Sequence, residues 1–125
     1  MFSDTVMDHF TNPRHVGTLA SPDAVGTAGT PGRGNYMVLQ LRVDGDRIVD
    51  CAYMTFGCPP AIAAGSALTE IIKGMRTGDA LRITAEHLEE ALGGLPLGRK
   101  HCAALAVQAL RAALSSVLPN ASSDA

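Results

Sequence analysis

Apolar residues recur along this chain with two different periods, and the change of period separates a β-hairpin from the helices on either side of it. Phe2, Val6, Met7 and Phe10 are spaced for one face of a short helix. Ser3-Asp4 supplies its N-cap, and Asn12-Pro13 stops it because a residue before proline is driven out of the helical region. Met37, Leu39, Leu41 and Val43 alternate with Tyr36, Val38, Gln40 and Arg42, the period-2 pattern of a strand with one buried face. Asp44-Gly45-Asp46 has the chemistry of a tight turn, which predicts an antiparallel pairing with a second strand over Arg47–Phe56. Between the first helix and the hairpin, residues 13–35 carry Gly17, Gly26, Gly29, Gly32 and Gly34 with Pro22 and Pro31. This predicts a long loop holding an edge strand near residues 25–28.

The second half returns to helical spacing. After Gly57-Cys58, Pro59-Pro60 suit the first turn of a helix, where no intrahelical donor is lost; it is expected to run through Ile62, Leu68, Ile72 and Met75 and to stop around Lys73-Gly74. A shorter helix is expected over residues 85–92, capped by Thr84 and ended by Gly93-Gly94, followed by a loop over residues 95–98. The last helix is expected to open at about His101, to place Ala106, Leu110, Ala113 and Val117 on one face, and to close at Pro119. Residues 1–118 are expected to form one domain, and residues 119–125, small and polar, a disordered tail.

Composition narrows the class. A chain of 125 residues that is 46% apolar can bury one real core. A net charge of -2 with interspersed signs argues against a nucleic-acid surface. The chain opens with no basic stretch leading into an apolar run and has no window long enough to span a bilayer, so a cytoplasmic protein without a membrane partner is expected. Three cysteines are too few for a disulfide framework, and reduced thiols are expected.

Two of those thiols stand at predicted helix starts, Cys58 and Cys102, the second beside His101. Unpaired N–H groups and the helix dipole stabilise a nearby anion, so both positions favour thiolate, the form that ligates soft metals and acts as a nucleophile. Two thiolates and an imidazole suit zinc, iron or an iron-sulfur cluster. Spacing alone reads equally well as two small apolar residues at helix starts, since free cysteine is commonly buried.

Three boxes, in order, carry a resemblance. Asn12-Pro13-Arg14-His15-Val16-Gly17 resembles the Asn-Pro-Arg-Asn-Val-Gly box of the NifU/IscU iron-sulfur scaffolds. Thr55-Phe56-Gly57-Cys58 with Ala61-Ile62-Ala63-Ala64-Gly65-Ser66 is similar to their Thr-(Phe/Tyr)-Gly-Cys-Gly-Ser-Ala-Ile-Ala segment, and His101-Cys102-Ala103-Ala104-Leu105-Ala106 to their His-Cys-Ser-x-Leu-Ala helix opening. The resemblance spans nearly the whole chain. It implies an α+β fold, a three-stranded antiparallel sheet covered on one face by helices, with the site at an exposed tip. It also implies a scaffold rather than an enzyme, which takes sulfur from a cysteine desulfurase, assembles a [2Fe-2S] cluster and passes it to acceptor proteins. Cys58, His101 and Cys102 are the implied ligands.

The chain departs from that pattern in the loop Gly29-Thr30-Pro31-Gly32-Arg33-Gly34-Asn35, where the family carries Gly-x-Pro-x-Cys-Gly-Asp. Arg33 stands at the cysteine position, and a guanidinium cannot ligate metal. Asn35 stands at the position of an aspartate that keeps the cluster labile. Together the changes make the site more positive by about three charges. A cluster would lack one thiolate unless water, a partner or a second subunit supplied it. An alternative is therefore a paralogue that accepts persulfide or regulates the desulfurase without building a cluster; a weaker one is a Cys/His transferase with Arg33 holding an anionic substrate. Cys51, on the predicted second strand, is read as core. Leu95-Pro96-Leu97-Gly98-Arg99-Lys100 replaces the Leu-Pro-Pro-Val-Lys of chaperone-dependent scaffolds, which leaves an Hsp70-type partner open. The uninterrupted stretch from Cys58 to His101 fits the NifU/IscU subtype over the SufU-like one. His9, His15 and His87 are expected to face solvent.

Overall fold

The computed structural model describes residues 2–117. The predicted stop at Pro119 and the predicted disordered tail lie outside the described residues. In chain order the elements are α1 (Asp4–Thr11), β1 (Ala24–Gly29), β2 (Tyr36–Asp44), β3 (Arg47–Phe56), α2 (Pro59–Ile72), α3 (Thr77–Ala80), α4 (Ala85–Ala91), a 3-10 turn (Leu97–Arg99) and α5 (His101–Val117).

The strands form one antiparallel sheet in the order β1-β2-β3. The hairpin turns through Gly45, at φ 64°, and its register pairs Tyr36 with Phe56 and Leu41 with Cys51 before a bulge at Arg42/Val43. Met37, Leu39 and Leu41 alternate inward as the pattern predicts, and all three are fully buried with Ile48 and Tyr53 under α2 and α5. The fold is thus the α+β arrangement expected, with helices on one sheet face. Two glycines set how closely the layers approach. A Cβ on Gly26 of β1 would fall 2.1 Å from the Ala109 carbonyl oxygen of α5, and one on Gly65 of α2 would fall 2.4 Å from the Tyr53 ring. The Tyr53 hydroxyl donates to the Ile62 carbonyl at 2.8 Å.

Several expectations need correction. The edge strand is longer than residues 25–28, because Ala24, Gly26 and Ala28 alternate inward against α5. α3 was not expected: Thr77-Gly78-Asp79-Ala80 is too short to show a period, and Thr77 N–H donates to Asp46 O instead (2.7 Å). The expected loop before the last helix contains the 3-10 turn. His9 and His15 do not face solvent. Val6 and His9, three apart, share the face of α1 turned to α2, while Met7 points outward. His9 is buried because Ser66 Oγ meets its Nδ1 at 2.7 Å, with Arg14 Nη1 at 3.0 Å and Glu70 3.6 Å from its other nitrogen. Burial first, then the Arg14 charge, lowers its pKa against the pull of Glu70 and Asp8. His15 is half-buried at φ 61°, with Nδ1 3.0 Å from Thr69 Oγ1, and the box around it docks on β3 through Tyr53 N–H to His15 O and Gly17 N–H to Tyr53 O. His87 is exposed, where it completes a capping box with Thr84.

Candidate metal and sulfur site

Three segments meet at one end of the sheet. β3 ends at Phe56, and Gly57 leads to Cys58, the N-cap residue of α2, with Pro59 and Pro60 opening the helix as expected. The loop after β1 returns through Gly32 and Gly34, both at positive φ, to Asn35 at the start of β2. The 3-10 turn delivers His101 and Cys102 as the first two residues of α5. Residues 44 positions apart are thereby brought together: Cys58 Sγ lies 3.5 Å from Cys102 Sγ, and His101 Nε2 lies 3.8 Å from Cys102 Sγ.

Asn35 ties them. Its Oδ1 accepts the Cys58 backbone N–H at 3.3 Å, which fixes the amide's orientation because that N–H can only donate. Nδ2 then faces Cys58 Sγ at 3.7 Å, Cys102 Sγ at 3.6 Å and His101 Nε2 at 3.3 Å. His101 Nε2 accepts from it, which puts the imidazole proton on Nδ1. Gly57 is needed beside it, since a Cβ there would lie 2.3 Å from Asn35 Oδ1.

The two thiols are electrostatically unequal. Burial raises the Cys58 pKa, but the Ala61 backbone N–H, the Cys102 thiol, the Asn35 amide and the Arg99 charge outweigh it and hold Cys58 below its ordinary value. Cys102 is fully buried; burial first, then hydrogen bonding to and charge on Cys58, pushes its pKa up to about 12. The pair therefore carries its first negative charge on half-buried Cys58, with Cys102 donating to it.

The donor chemistry, two sulfurs and an imidazole, suits a thiophilic metal, and two of the three donor separations are near ligand spacing. Ligands about 2.3 Å from a tetrahedral zinc lie about 3.8 Å apart, against 3.5 Å and 3.8 Å here. Among the described residues, however, no group of three or more His, Cys, Asp and Glu side chains is arranged to hold a metal ion as it stands. Cys102 is thus at ligand spacing from each of the other two donors taken singly, and the three do not form a metal-holding set together.

Of the altered positions, Arg33 stays outside. It is exposed, its backbone N–H donates to Thr30 O at 3.0 Å, and among the described residues its guanidinium has no hydrogen-bond or ion-pair partner. Cys51 is core as expected: it is buried, its Sγ donates to Thr69 O at 3.4 Å, and burial, helped by Asp50, pushes its pKa up to about 12. Sequence reasoning marked Asn35 only as a changed position and missed Gly57 and Arg99 as members of the site. A glycine directly before a helix-start cysteine and an arginine three before the other were the available signals.

An antiparallel sheet backed by helices, with cysteines and a histidine gathered at its tip, has the architecture of the small iron-sulfur assembly scaffolds. The chain belongs to that family: the sequence model of the NifU-like N terminal domain matches residues 1–121. It is 48% identical over 114 residues to the iron-sulfur cluster assembly scaffold protein IscU 1 of Archaeoglobus fulgidus, covering 91% of this chain and 74% of that protein. It is 40% identical over 119 residues to the IscU of Aquifex aeolicus, covering 94% and 76%. Among solved structures, the fold is similar to that of a nitrogen-fixing NifU-like protein (N-terminal) from Brucella abortus, with TM-score 0.59, 22% identity, and 96% and 86% of the two chains covered.

Proposed function

We propose that this protein is a scaffold of iron-sulfur cluster assembly, holding iron or a [2Fe-2S] cluster as cargo through Cys58, His101 and Cys102, with zinc as a competing occupant. The observation that carries the reading is the meeting of two thiols and an imidazole from two helix starts at a partly open tip. One coordination position has no thiolate from this chain, since Arg33 replaces it and Cys51 is committed to the core. A partner or water completes the set. The partners implied are a cysteine desulfurase and cluster acceptors; an Hsp70-type chaperone would meet Leu97, 88% exposed in the 3-10 turn. Reduced cysteines fit a cytoplasmic setting, and among the described residues no helix is long and apolar enough to cross a membrane. Anaerobic reconstitution with ferrous iron and a sulfide donor tests the reading by visible absorption and by iron and sulfide analysis. The wild type should bind stoichiometric metal or cluster, and Cys58→Ser and Cys102→Ser should not. Equal retention in all three proteins would refute it.

A second reading, a persulfide acceptor, is supported by Arg33 and by the lowered pKa of Cys58. There the Cys58 sulfur attacks the outer sulfur of a donor cysteine persulfide. A new S–S bond forms on Cys58, the donor's S–S bond breaks, and the donor cysteine leaves as thiolate with no net oxidation. Mass spectrometry after incubation with a desulfurase and cysteine would find a gain of one sulfur on Cys58 in the absence of bound metal.

A further inference from the structure

We infer that Cys102 is a resolving thiol, which expels a sulfur carried on Cys58 as hydrosulfide and leaves a Cys58–Cys102 disulfide. The inference rests on the reading of Cys58 as a persulfide acceptor.

A sulfur on Cys58 has one thiol within reach. Cys102 Sγ lies 3.5 Å from Cys58 Sγ, and an approach of about 1.5 Å brings the two to the roughly 2.05 Å of a disulfide. The remaining cysteine of this chain is committed elsewhere: Cys51 is buried, and its Sγ donates to Thr69 O at 3.4 Å. It also stands back along β3 from Cys58 by about 20 Å of extended chain. With Arg33 in the tip loop, no third sulfur competes for the persulfide.

The two neighbours of Cys58 Sγ come from opposite sides. Cys58 is half-buried, so a donor delivers sulfur from solvent, whereas Cys102 is fully buried and touches Cys58 from within. Displacement at sulfur runs in line, because the attacking lone pair enters the orbital opposite the bond that breaks. An outer sulfur added from the solvent side stands opposite Cys102, where attack from within drives it out into water. The Asn35 amide faces both sulfurs at 3.7 and 3.6 Å and is neutral, so it does not repel an anionic persulfide as a carboxylate would.

In the step, a bond forms between Cys102 Sγ and Cys58 Sγ, and the bond from Cys58 Sγ to the outer sulfur breaks. The Cys102 proton passes to the outer sulfur of the persulfide anion, which leaves as HS⁻. Counted against the two starting thiols, the delivered sulfur gains two electrons and the Cys58–Cys102 pair loses them. A dithiol reductant then restores both thiols by exchange. Each chain thereby reduces one delivered sulfur with its own electrons.

The test treats the reduced, metal-free full chain with glutathione persulfide under anaerobic conditions, removes small thiols by gel filtration, and follows sulfide with monobromobimane in wild type, Cys102→Ala and Cys58→Ser. Wild type should release stoichiometric sulfide. Peptide mapping should show a Cys58–Cys102 linkage rising in step with it, at a rate independent of protein concentration. Cys102→Ala should keep the extra sulfur on Cys58 until a dithiol is added, and Cys58→Ser should take up none. A persulfide that persists on wild-type Cys58, or sulfide released as fast from Cys102→Ala, overturns the resolving role and leaves persulfide acceptance standing. No sulfur on wild-type Cys58, or equal uptake by Cys58→Ser, overturns both. The wild-type map is independent of how any variant folds: sulfide without the linked peptide, or a linkage to Cys51 or between two chains, overturns the inference.

Discussion

Gly26→Ala tests the contact through which the fold positions half of the site. Gly26 lies on β1 with its absent side chain directed at α5, and an added Cβ would come within 2.1 Å of Ala109 O and 2.3 Å of Ala113 N. Both are backbone atoms of a helix, so no rotamer change relieves the overlap. Widening 2.1 Å to an ordinary contact of 3.4 Å parts strand and helix by about 1.3 Å. A gap of about 0.5–1 Å already forfeits a quarter to a half of a dispersion contact, and this side of α5 buries Ala109, Leu110, Ala113 and Leu114 completely. Overpacking costs about 1–3 kcal/mol or more, and replacing a strand glycine returns about 0.5–1 kcal/mol of backbone entropy. Backbone against backbone belongs at the upper end of the first range, so a net loss of about 2–3 kcal/mol is expected. At an unfolding entropy of about 2.1 cal/mol/K per residue this lowers Tm by about 8–11 °C. Urea and thermal unfolding followed by far-UV circular dichroism measure it, with Gly98→Ala as control, since a Cβ there meets nothing within 4 Å. Because α5 opens with His101 and Cys102, the metal or cluster binding of the proposed reading should weaken in parallel. A Gly26→Ala protein within about 0.5 kcal/mol of wild type would show that α5 does not rest on β1 as described.

In the reduced, metal-free protein at pH 7.5, iodoacetamide should modify Cys58 well before Cys51 and Cys102, whose burial keeps them protonated up to about 12; peptide mapping showing equal rates would contradict this. His9 titrates below its ordinary value when folded, so its stabilising contribution is complete above the unfolded value of about 6.5 and is lost as pH falls from there toward the lowered folded one. Urea midpoints should accordingly drop between pH 7.5 and 5.5, less steeply in His9→Asn, and parallel profiles would refute a buried neutral His9. Ser66→Ala strips partners from the Arg14 backbone N–H at 2.9 Å and from His9 Nδ1 at 2.7 Å. The loss should be about 1–3 kcal/mol, and an unchanged urea midpoint would mean that water replaces the hydroxyl.

The hairpin was legible because strict alternation has a single physical meaning on a half-buried sheet, and Met37, Leu39 and Leu41 all point inward as that pattern requires. The helix starts at Pro59 and His101 were legible from proline chemistry and periodicity. Residues with a polar name and a buried place were not: nothing local distinguishes His9, held by a serine 57 positions away, from a histidine in water. Gly26 and Gly65 likewise look like any loop or helix glycine until the opposing layer is known. The site was legible in its members and not in its geometry. Cys58 and Cys102 are linked only by tertiary structure, so the family boxes, not spacing, paired them. That Asn35 would reach both sulfurs and the imidazole at once required three segments to be in place.

On the proposed reading the missing thiolate comes from outside the chain, and the placement of Arg33 says how the tip tolerates that. A guanidinium among the donors would compete with any cation, yet Arg33 is exposed on a glycine-flanked turn, and it is the Asn35 amide that faces Cys58, His101 and Cys102. Lys100, by contrast, is paired with Glu89, which leaves Arg99 as the charge that reaches both sulfurs. The exposed rim of the tip thus carries Arg33 and Arg99 around a centre in which Cys58 is the more readily ionised thiol. Such a rim attracts an anionic sulfur arriving from a partner, a persulfide or a cysteine thiolate, better than it attracts free metal cations. Sulfur or a partner thiolate should therefore precede iron at this site, the added negative charge offsetting the rim before a cation enters. That order follows from exchanging a thiolate and a carboxylate for a guanidinium and an amide at Arg33 and Asn35.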